Sequence, residues 1–422
     1  MIRILHCSGL HLDSPFMGIH QLDPEMANLL RNSIFNAFRR IVDAAIEHRV
    51  DLLSVGGDVY DSADHGLHSL VMFNDQLRRL SDAEIPCCII AGNHDPLKKR
   101  RLGANLPAGC FLFSDKPSVV NLKTRSGQQV NVYGISYPVS AVTDNLAEKL
   151  TGIYQEGEGI KIALLHCNVG GTADHENYAP CSFDELKQSP FNAWLLGHVH
   201  ERKIISRTDP LILYPGNIQG RHIRETGKRG GYLITFHDTG DPQTDFLPVS
   251  QVLWQTGETR IDDLDDLDAL VERIDQDFEN LIRSDPDTEA WVVRWNLAGQ
   301  GILQKEISRM GIGELIEIMR DRWQNRSPAI LIEKMADMCR APLDISEIRK
   351  QDNFLSMVIE AADLLVGEKD EKKEIKENLL TVIDSPSFKK WLPDLSEKLK
   401  ENPDFIDKII SKGMLHALNS MS

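Results

Sequence analysis

Residues 1 to about 250 predict a layered α/β domain, and three observations carry that expectation. Apolar runs of strand length (IRIL, DLLSV, CCIIA, IALL, AWLL) recur along the segment. Amphipathic stretches of helical period lie between them. Polar clusters of His, Asp and Asn follow each run directly, where a buried strand gives way to a loop, and loops at that edge of a sheet build active sites.

In chain order, IRIL opens the domain, and the stretch 26 to 48 places Leu30, Ile34, Phe38, Ile41 and Ala45 on one helical face. TRSGQQVNVYGI (124 to 135) predicts a hairpin turning at Ser126 and Gly127, and RGGYLITFH (229 to 237) a late strand. Between 251 and 345 the pattern predicts a helix near 264 to 283, the strand WVVRWNL and a second helix near 312 to 323. From 346 to 422 the sequence pattern predicts helix, is charge-rich and has no recognisable catalytic motif. There Phe354, Met357, Val358, Ala361, Leu364 and Leu365 share one helical face.

At 422 residues and 41% hydrophobic content, the chain can build two or three domains without a disulfide or a structural metal. Its seven Cys have no CxxC spacing, which fits a reducing cytosol. MIRILHC lacks the apolar region of a signal peptide, and no run approaches the ~20 apolar residues of a membrane span. A soluble cytoplasmic protein is expected. The net charge is −16, of which residues 251 to 422 carry −12, with 13 acids against 3 Arg between 258 and 289. That run reads as a solvated face and argues against a general duplex-binding footprint. Lys98, Lys99, Arg100 and Arg101, and later Arg221, Arg224, Lys228 and Arg229, stand beside the polar motifs. They are candidates for holding nucleic-acid phosphates, with ordinary surface charge as the alternative.

The motifs themselves are LHLD at His11, GGDVYD at Asp58, GNHD at Asn93, LLHCN at His166 and LGHVH at His198 and His200. Imidazole nitrogens mixed with carboxylate and amide oxygens suit divalent transition metals. Ions ~3.5–4 Å apart need a bridging ligand, which a carboxylate can supply and an imidazole cannot, so Asp58 is the expected bridge. On a strand, His198 and His200 would face opposite ways. Both can serve one cluster if GHVH is already a loop, a bend that Gly197 would permit.

In this order the motifs resemble the calcineurin-like metallophosphoesterase superfamily, and within it the DNA-repair exonuclease branch of SbcD- and YhaO-like nuclease subunits. LHLDSPF, YPGNIQGRH and AILIEKMADMCRAPLDISEIRKQDNFL are most similar to the YhaO-like group. The resemblance implies a β-sandwich flanked by helices over 1–250, a small α+β capping domain over 251–345, and over 346–422 a helical surface for an SMC-like ATPase partner of the SbcC or YhaN kind. It implies two divalent cations, Mn above all, one held by His11, Asp58 and His200 and the other by Asp58, Asn93, His166 and His198. His94 becomes the general acid for the leaving alkoxide. Asp61 either orients its ring or caps a helix or turn. The implied reaction is phosphodiester hydrolysis of DNA, exo- or endonucleolytic. A small-nucleotide phosphodiesterase and an inactive pseudonuclease partner are the alternatives, and the helix at 26–48 could pair two copies or face the sheet.

One departure stands out: the family's first motif is Asp-x-His, and here Gly9 precedes Leu10 and His11. The first metal position therefore loses a carboxylate and is expected to be weakened or empty. Asp13 is a possible substitute, although the family motif has that Asp as well. Gly9 reads either as the mark of an inactivated subunit or as a substitution that traps a bound state.

Overall fold

The computed structural model describes residues 1–14, 24–61, 66–99, 106–171, 178–324, 326–341, 345–350, 356–357 and 359–360. The helical face expected around Phe354 to Leu365, and the rest of the proposed docking region, lie largely outside the described residues, as do Arg100 and Arg101.

Two sheets carry the polar motifs. Their strands are β1 (Ile2–Cys7), β2 (Leu52–Val55), β3 (Cys87–Ile89), β4 (Cys110–Leu112), β5 (Ser118–Lys123), β6 (Gln129–Gly134), β7 (Ile160–His166), β8 (Ala193–Gly197), β9 (Lys203–Ser206), β10 (Leu211–Tyr214), β11 (Gly230–Phe236) and β12 (Gln243–Pro248). The first sheet has the order β12-β11-β1-β2-β3-β4 and the second β5-β6-β7-β8-β10-β9. β1, β2 and β3 run parallel, as do β7 and β8, so the polar loops leave the C-terminal ends of parallel strands in both sheets.

Strand periodicity explains the layering. Ile2 and Ile4 of β1, Ile162 and Leu164 of β7, Ala193 and Leu195 of β8 and Leu211 and Leu213 of β10 bury in one core shared by both sheets. Their alternates turn outward. Leu5 and Cys7 meet α1 (Pro24–Glu47) and α2 (Leu67–Asp82), while Ala163, Leu165, Trp194 and Leu196 meet α3 (Leu146–Thr151) and α4 (Phe183–Lys187). Both faces of each sheet are thus covered, which is why these strands are apolar throughout. Leu30, Ile34, Phe38, Ile41 and Ala45 of α1 are all buried, Ile34 to Ala45 against the first sheet. The hairpin β5–β6 turns through Thr124 to Gln128 with Gly127 at φ +82°.

A third sheet has the order β13 (Val252–Arg260), β14 (Ala290–Ala298) and β15 (Ala329–Asp337), accompanied by α5 (Leu267–Ser284), α6 (Gln304–Met310) and α7 (Ile312–Trp323). β13, β15 and α6 were not resolved by sequence reading. The described residues pack as two compact units, each discontinuous in sequence: one drawn from 1–258, 274–296 and 313–336, the other from 259–273, 297–312 and the described residues beyond 336. In the first, Leu30, Val252, Trp254, Ala290 and Val292 form a small core, and Phe278 stacks on Trp295 with ring centroids 4.2 Å apart. In the second, Asp262 accepts a hydrogen bond from the Gln300 amide at 3.1 Å.

Candidate metal centre

The motif loops of both sheets meet. His11 Nε2 lies 3.1 Å from His200 Nε2 and 3.8 Å from Asp58 Oδ2. His166 Nε2 lies 3.4 Å from the same Asp58 oxygen and 2.9 Å from Asn93 Oδ1, which is 3.3 Å from His198 Nδ1. Two groups of donors therefore share Asp58. The backbone bends sharply to bring them in: His11, Asp58 and His198 have φ of +46°, +52° and +97°. Such conformations cost about 1–3 kcal/mol each and persist only where surrounding structure holds them. The bend after β8 falls on His198 and not on Gly197, contrary to expectation. Gly197 serves close approach instead, since a Cβ there would lie 1.8 Å from the Gly56 carbonyl oxygen.

Hydrogen-bond partners fix which ring nitrogens carry protons, and the result favours a cation. His200 Nδ1 donates to Glu225 Oε1 at 2.7 Å, and His166 Nδ1 donates to the Gly56 carbonyl at 2.8 Å. His11 Nδ1 faces Asp61 Oδ1 at 3.1 Å. A carbonyl or carboxylate only accepts, so Nδ1 of His200 and of His166 holds its proton and Nε2 of each presents a lone pair, whereas His11 Nδ1 is buried beside Asp61 without hydrogen-bond geometry. The His200 lone pair then faces His11 Nε2, and that of His166 faces two oxygens. Imidazole nitrogens and carboxylate and amide oxygens converging in this way suit a positive charge placed among them. The titration of the rings follows the same logic. Burial, reinforced by the Arg221 charge, pushes His11 down to about 3, so it stays neutral. Burial works against a charged His166 as well, yet Asp58 raises its pKa above the ordinary value. The donor set fits divalent cations.

Around the donors stands a set of anchoring groups. Asp95, fully buried, accepts from the amides of Val59 and Gly92 at 2.7 Å each and so ties the Asp58 loop to the Asn93 loop. A Cβ at Gly92 would lie 2.2 Å from Asp58 Oδ1, so only glycine lets the loops close. Glu225 takes His200 Nδ1 and also the side-chain amide of Asn217 at 2.9 Å. Burial opposes its charge, but the hydrogen bonds from His200 and His222 and the Arg221 guanidinium hold the carboxyl far below the usual range. Neither Asp95 nor Glu225 was singled out from sequence. His94 lies with its ring 4.8 Å from that of His11, its amide donating to Asp58 Oδ1 at 3.0 Å. Its Nδ1 donates to the backbone carbonyl of Asp61 at 2.9 Å, whereas the Asp61 carboxylate stands 3.9 Å off and pairs with Arg221 at 2.6 Å.

Gly9 adopts φ +56°, and a Cβ there would sit 3.2 Å from Asn217 Cβ and 3.5 Å from His11 Cδ2, beside the donor edge of that ring. A side chain at position 9 would thus point at the first group of donors. Asp13 does not substitute for it: its carboxylate accepts from the Gly66 amide at 3.0 Å and from Ser69, at the start of α2.

The basic residues divide. Arg221, expected to hold phosphate, is buried, and its guanidinium donates to Asp61 at 2.6 Å and Ser14 at 2.9 Å. Its charge serves the interior, which corrects that expectation. Arg229 is also buried, donating to Asn217 Oδ1 at 3.1 Å. Arg224, by contrast, lines a cavity of about 880 Å³ beside His200, together with Arg202, His222 and Lys228. Lys98 is exposed next to the Asn93 loop, and the Lys99 side chain lies outside the described residues.

Among the described residues, no helix is long and apolar enough to cross a membrane. Residues 2–202 match the calcineurin-like phosphoesterase family, and residues 254–340 match the middle domain of the metallophosphoesterase YhaO. The chain is 30% identical over 325 residues to the uncharacterized metallophosphoesterase YhaO of Bacillus subtilis, covering 76% of this chain and 78% of that one. It is 26% identical over 246 residues to the DNA double-strand break repair protein Mre11 of Saccharolobus solfataricus, covering 56% of this chain and 61% of that one. The protein of the same name from Sulfurisphaera tokodaii is 28% identical over 257 residues, covering 57% and 61%. The chain thus spans less than two thirds of these two Mre11 relatives. With its two donor groups joined at one aspartate between two helix-flanked sheets, the chain belongs to the calcineurin-like metallophosphoesterase family, in its YhaO-like group.

Proposed function

We propose that this chain is a metal-dependent phosphodiesterase that hydrolyses DNA, as a nuclease subunit acting beside an SMC-like ATPase. The observation that carries the reading is the pair of donor groups sharing Asp58, one of whose members, His200, lines a cavity that also holds Arg202, Arg224 and Lys228. Two divalent cations, Mn by family resemblance, would be held by His11, Asp58 and His200 and by Asp58, Asn93, His166 and His198. Bound there, they would lower the pKa of a water molecule and polarise a phosphate for in-line attack. His94 Nδ1 is committed to the Asp61 carbonyl, so it is the imidazolium, with a second proton on Nε2, that would deliver that proton to the leaving oxygen and return to the neutral Nδ1–H ring. Arg224 and Arg202 would hold backbone phosphates along the cavity.

Gly9 makes the first position, that of His11 and His200, the weaker one. The same residue favours a second reading, a pseudonuclease subunit retained for binding. Residues 251–345 act as a capping domain and 346–422 as the helical surface for the ATPase. A nuclease assay on linear DNA over a Mn range, with the ATPase present, tests the function. Degradation that disappears on chelation is expected, and hydrolysis of a chromogenic diester without DNA cleavage would point to a small nucleotide instead. Loss of ATPase capture on truncation before Glu368 is expected, and undiminished capture sinks the docking role.

A further inference from the structure

We infer that Glu225 and Asp61 are positioning residues that sustain cation binding at the first position in the absence of a carboxylate at residue 9; the inference rests on the metal-dependent reading above. The ligating histidines of that position each have a carboxylate behind them. Glu225 Oε1 accepts from His200 Nδ1 at 2.7 Å, and Asp61 Oδ1 lies 3.1 Å from His11 Nδ1. Arg221 joins the two: its Nη1 donates to Asp61 at 2.6 Å, its Nη2 lies 3.7 Å from Glu225 Oε1, and its backbone amide donates to Glu225 Oε2 at 2.8 Å. His11, Asp61, Arg221, Glu225 and His200 thus form one continuous chain of contacts.

The charges in this chain have a definite sum. Two carboxylates and one guanidinium leave one net negative charge behind two neutral rings. A carboxylate at residue 9 would have supplied the same charge directly. A carboxylate that accepts from Nδ1–H fixes the tautomer, aims the Nε2 lone pair and raises its basicity as a ligand. Glu225 is only 3% exposed, so its field is weakly screened by water. It also accepts from Asn217, the residue that lies against the place where a Cβ of residue 9 would stand. His222 Nε2 approaches the same Glu225 oxygen at 3.3 Å from the cavity side.

The test is Mn titration of the full chain, stripped of metal beforehand, followed by calorimetry and by electron paramagnetic resonance. The unmodified chain is expected to show a tight and a weak class of site. Glu225→Gln and Asp61→Asn should each weaken the weak class by about 10–100-fold and leave the tight class within about 2-fold. Melting in chelator controls for folding. Should Glu225→Gln fail to fold, Asp61→Asn carries the same expectation at a less buried site. Nitrogen-15 spectra of the unmodified chain give an independent reading, in which His11 and His200 carry their protons on Nδ1. A single class of site in the unmodified chain, a weak class indifferent to both variants, or Nε2–H tautomers would each overturn the inference. Two classes with the expected losses, in a chain that cuts no DNA, would support it while counting against the nuclease activity.

Discussion

Replacing Gly9 by Asp tests the site most directly, because two opposed effects of calculable size act on it. An L side chain at φ +56° costs about 1–2 kcal/mol, toward the low end for Asp, which tolerates the left-handed region better than most. The Cβ contact of 3.2 Å with Asn217 requires a small shift of that neighbour. In chelator, Gly9→Asp should therefore melt lower, by roughly 2–4 °C per kcal/mol for a domain of this size. With Mn the sign changes. If the new carboxylate tightens the first position about 100-fold, then at a Mn concentration equal to the unmodified chain's dissociation constant the variant gains about 2.3 kcal/mol more from binding. That exceeds the strain. Differential scanning calorimetry in chelator and over a Mn series reads both effects, and DNA degradation should rise with the Mn gain. A variant that melts lower under both conditions with unchanged Mn affinity would refute the argument, and would mean that residue 9 does not face the cation.

Three further outcomes are expected. His94→Asn should lower the rate of DNA hydrolysis by about 10²–10⁴-fold with Mn binding nearly unchanged; a matching loss of Mn affinity by calorimetry would make His94 a ligand, for which its donor atom within 4.8 Å of those of His11 and Asp58 leaves room. Arg224→Ala should reduce the salt slope of DNA binding by about 1 and leave the melting temperature alone, whereas Arg221→Ala should cost about 3 kcal/mol in a denaturant titration, because it strips a buried carboxylate of its counter-charge. Asp95→Asn should cost about 1–3 kcal/mol and weaken Mn at both positions, since an amide cannot accept at both ends from Val59 and Gly92; unchanged calorimetric titrations would show that the loops hold without it.

What the sequence made legible was whatever depends on local period and residue type. Alternation along β1, β7 and β8 and the stripe of α1 follow from burial on both faces, and the donors announce themselves as His, Asp and Asn after apolar runs. Glu225 was invisible because it reaches His200 from 25 residues away, from the irregular stretch after β10 where no period assigns a face. Arg221 looked like surface charge for the same reason, and only the path of that stretch turns it inward to Asp61. The GHVH bend shows local preference overridden by tertiary contact. Glycine is the expected site of a positive φ, but the first sheet's Gly56 carbonyl claims the space at Gly197, and the strained conformation passes to His198.

The donors come from both halves of the sandwich: His11 and His200, whose nitrogens stand 3.1 Å apart, are separated by 189 residues of chain and belong to different sheets. A cation held between them, as proposed above, would therefore be a reversible cross-link. It binds no local peptide, since the unfolded chain would have to close a loop of that length to form the pair. Its binding energy would oppose separation of one sheet from the other, across the core to which Ile4, Leu195 and Leu213 all belong. Chelation then acts as a mechanical release on the sandwich, and protection of the central strand amides against hydrogen exchange becomes a gauge of metal occupancy.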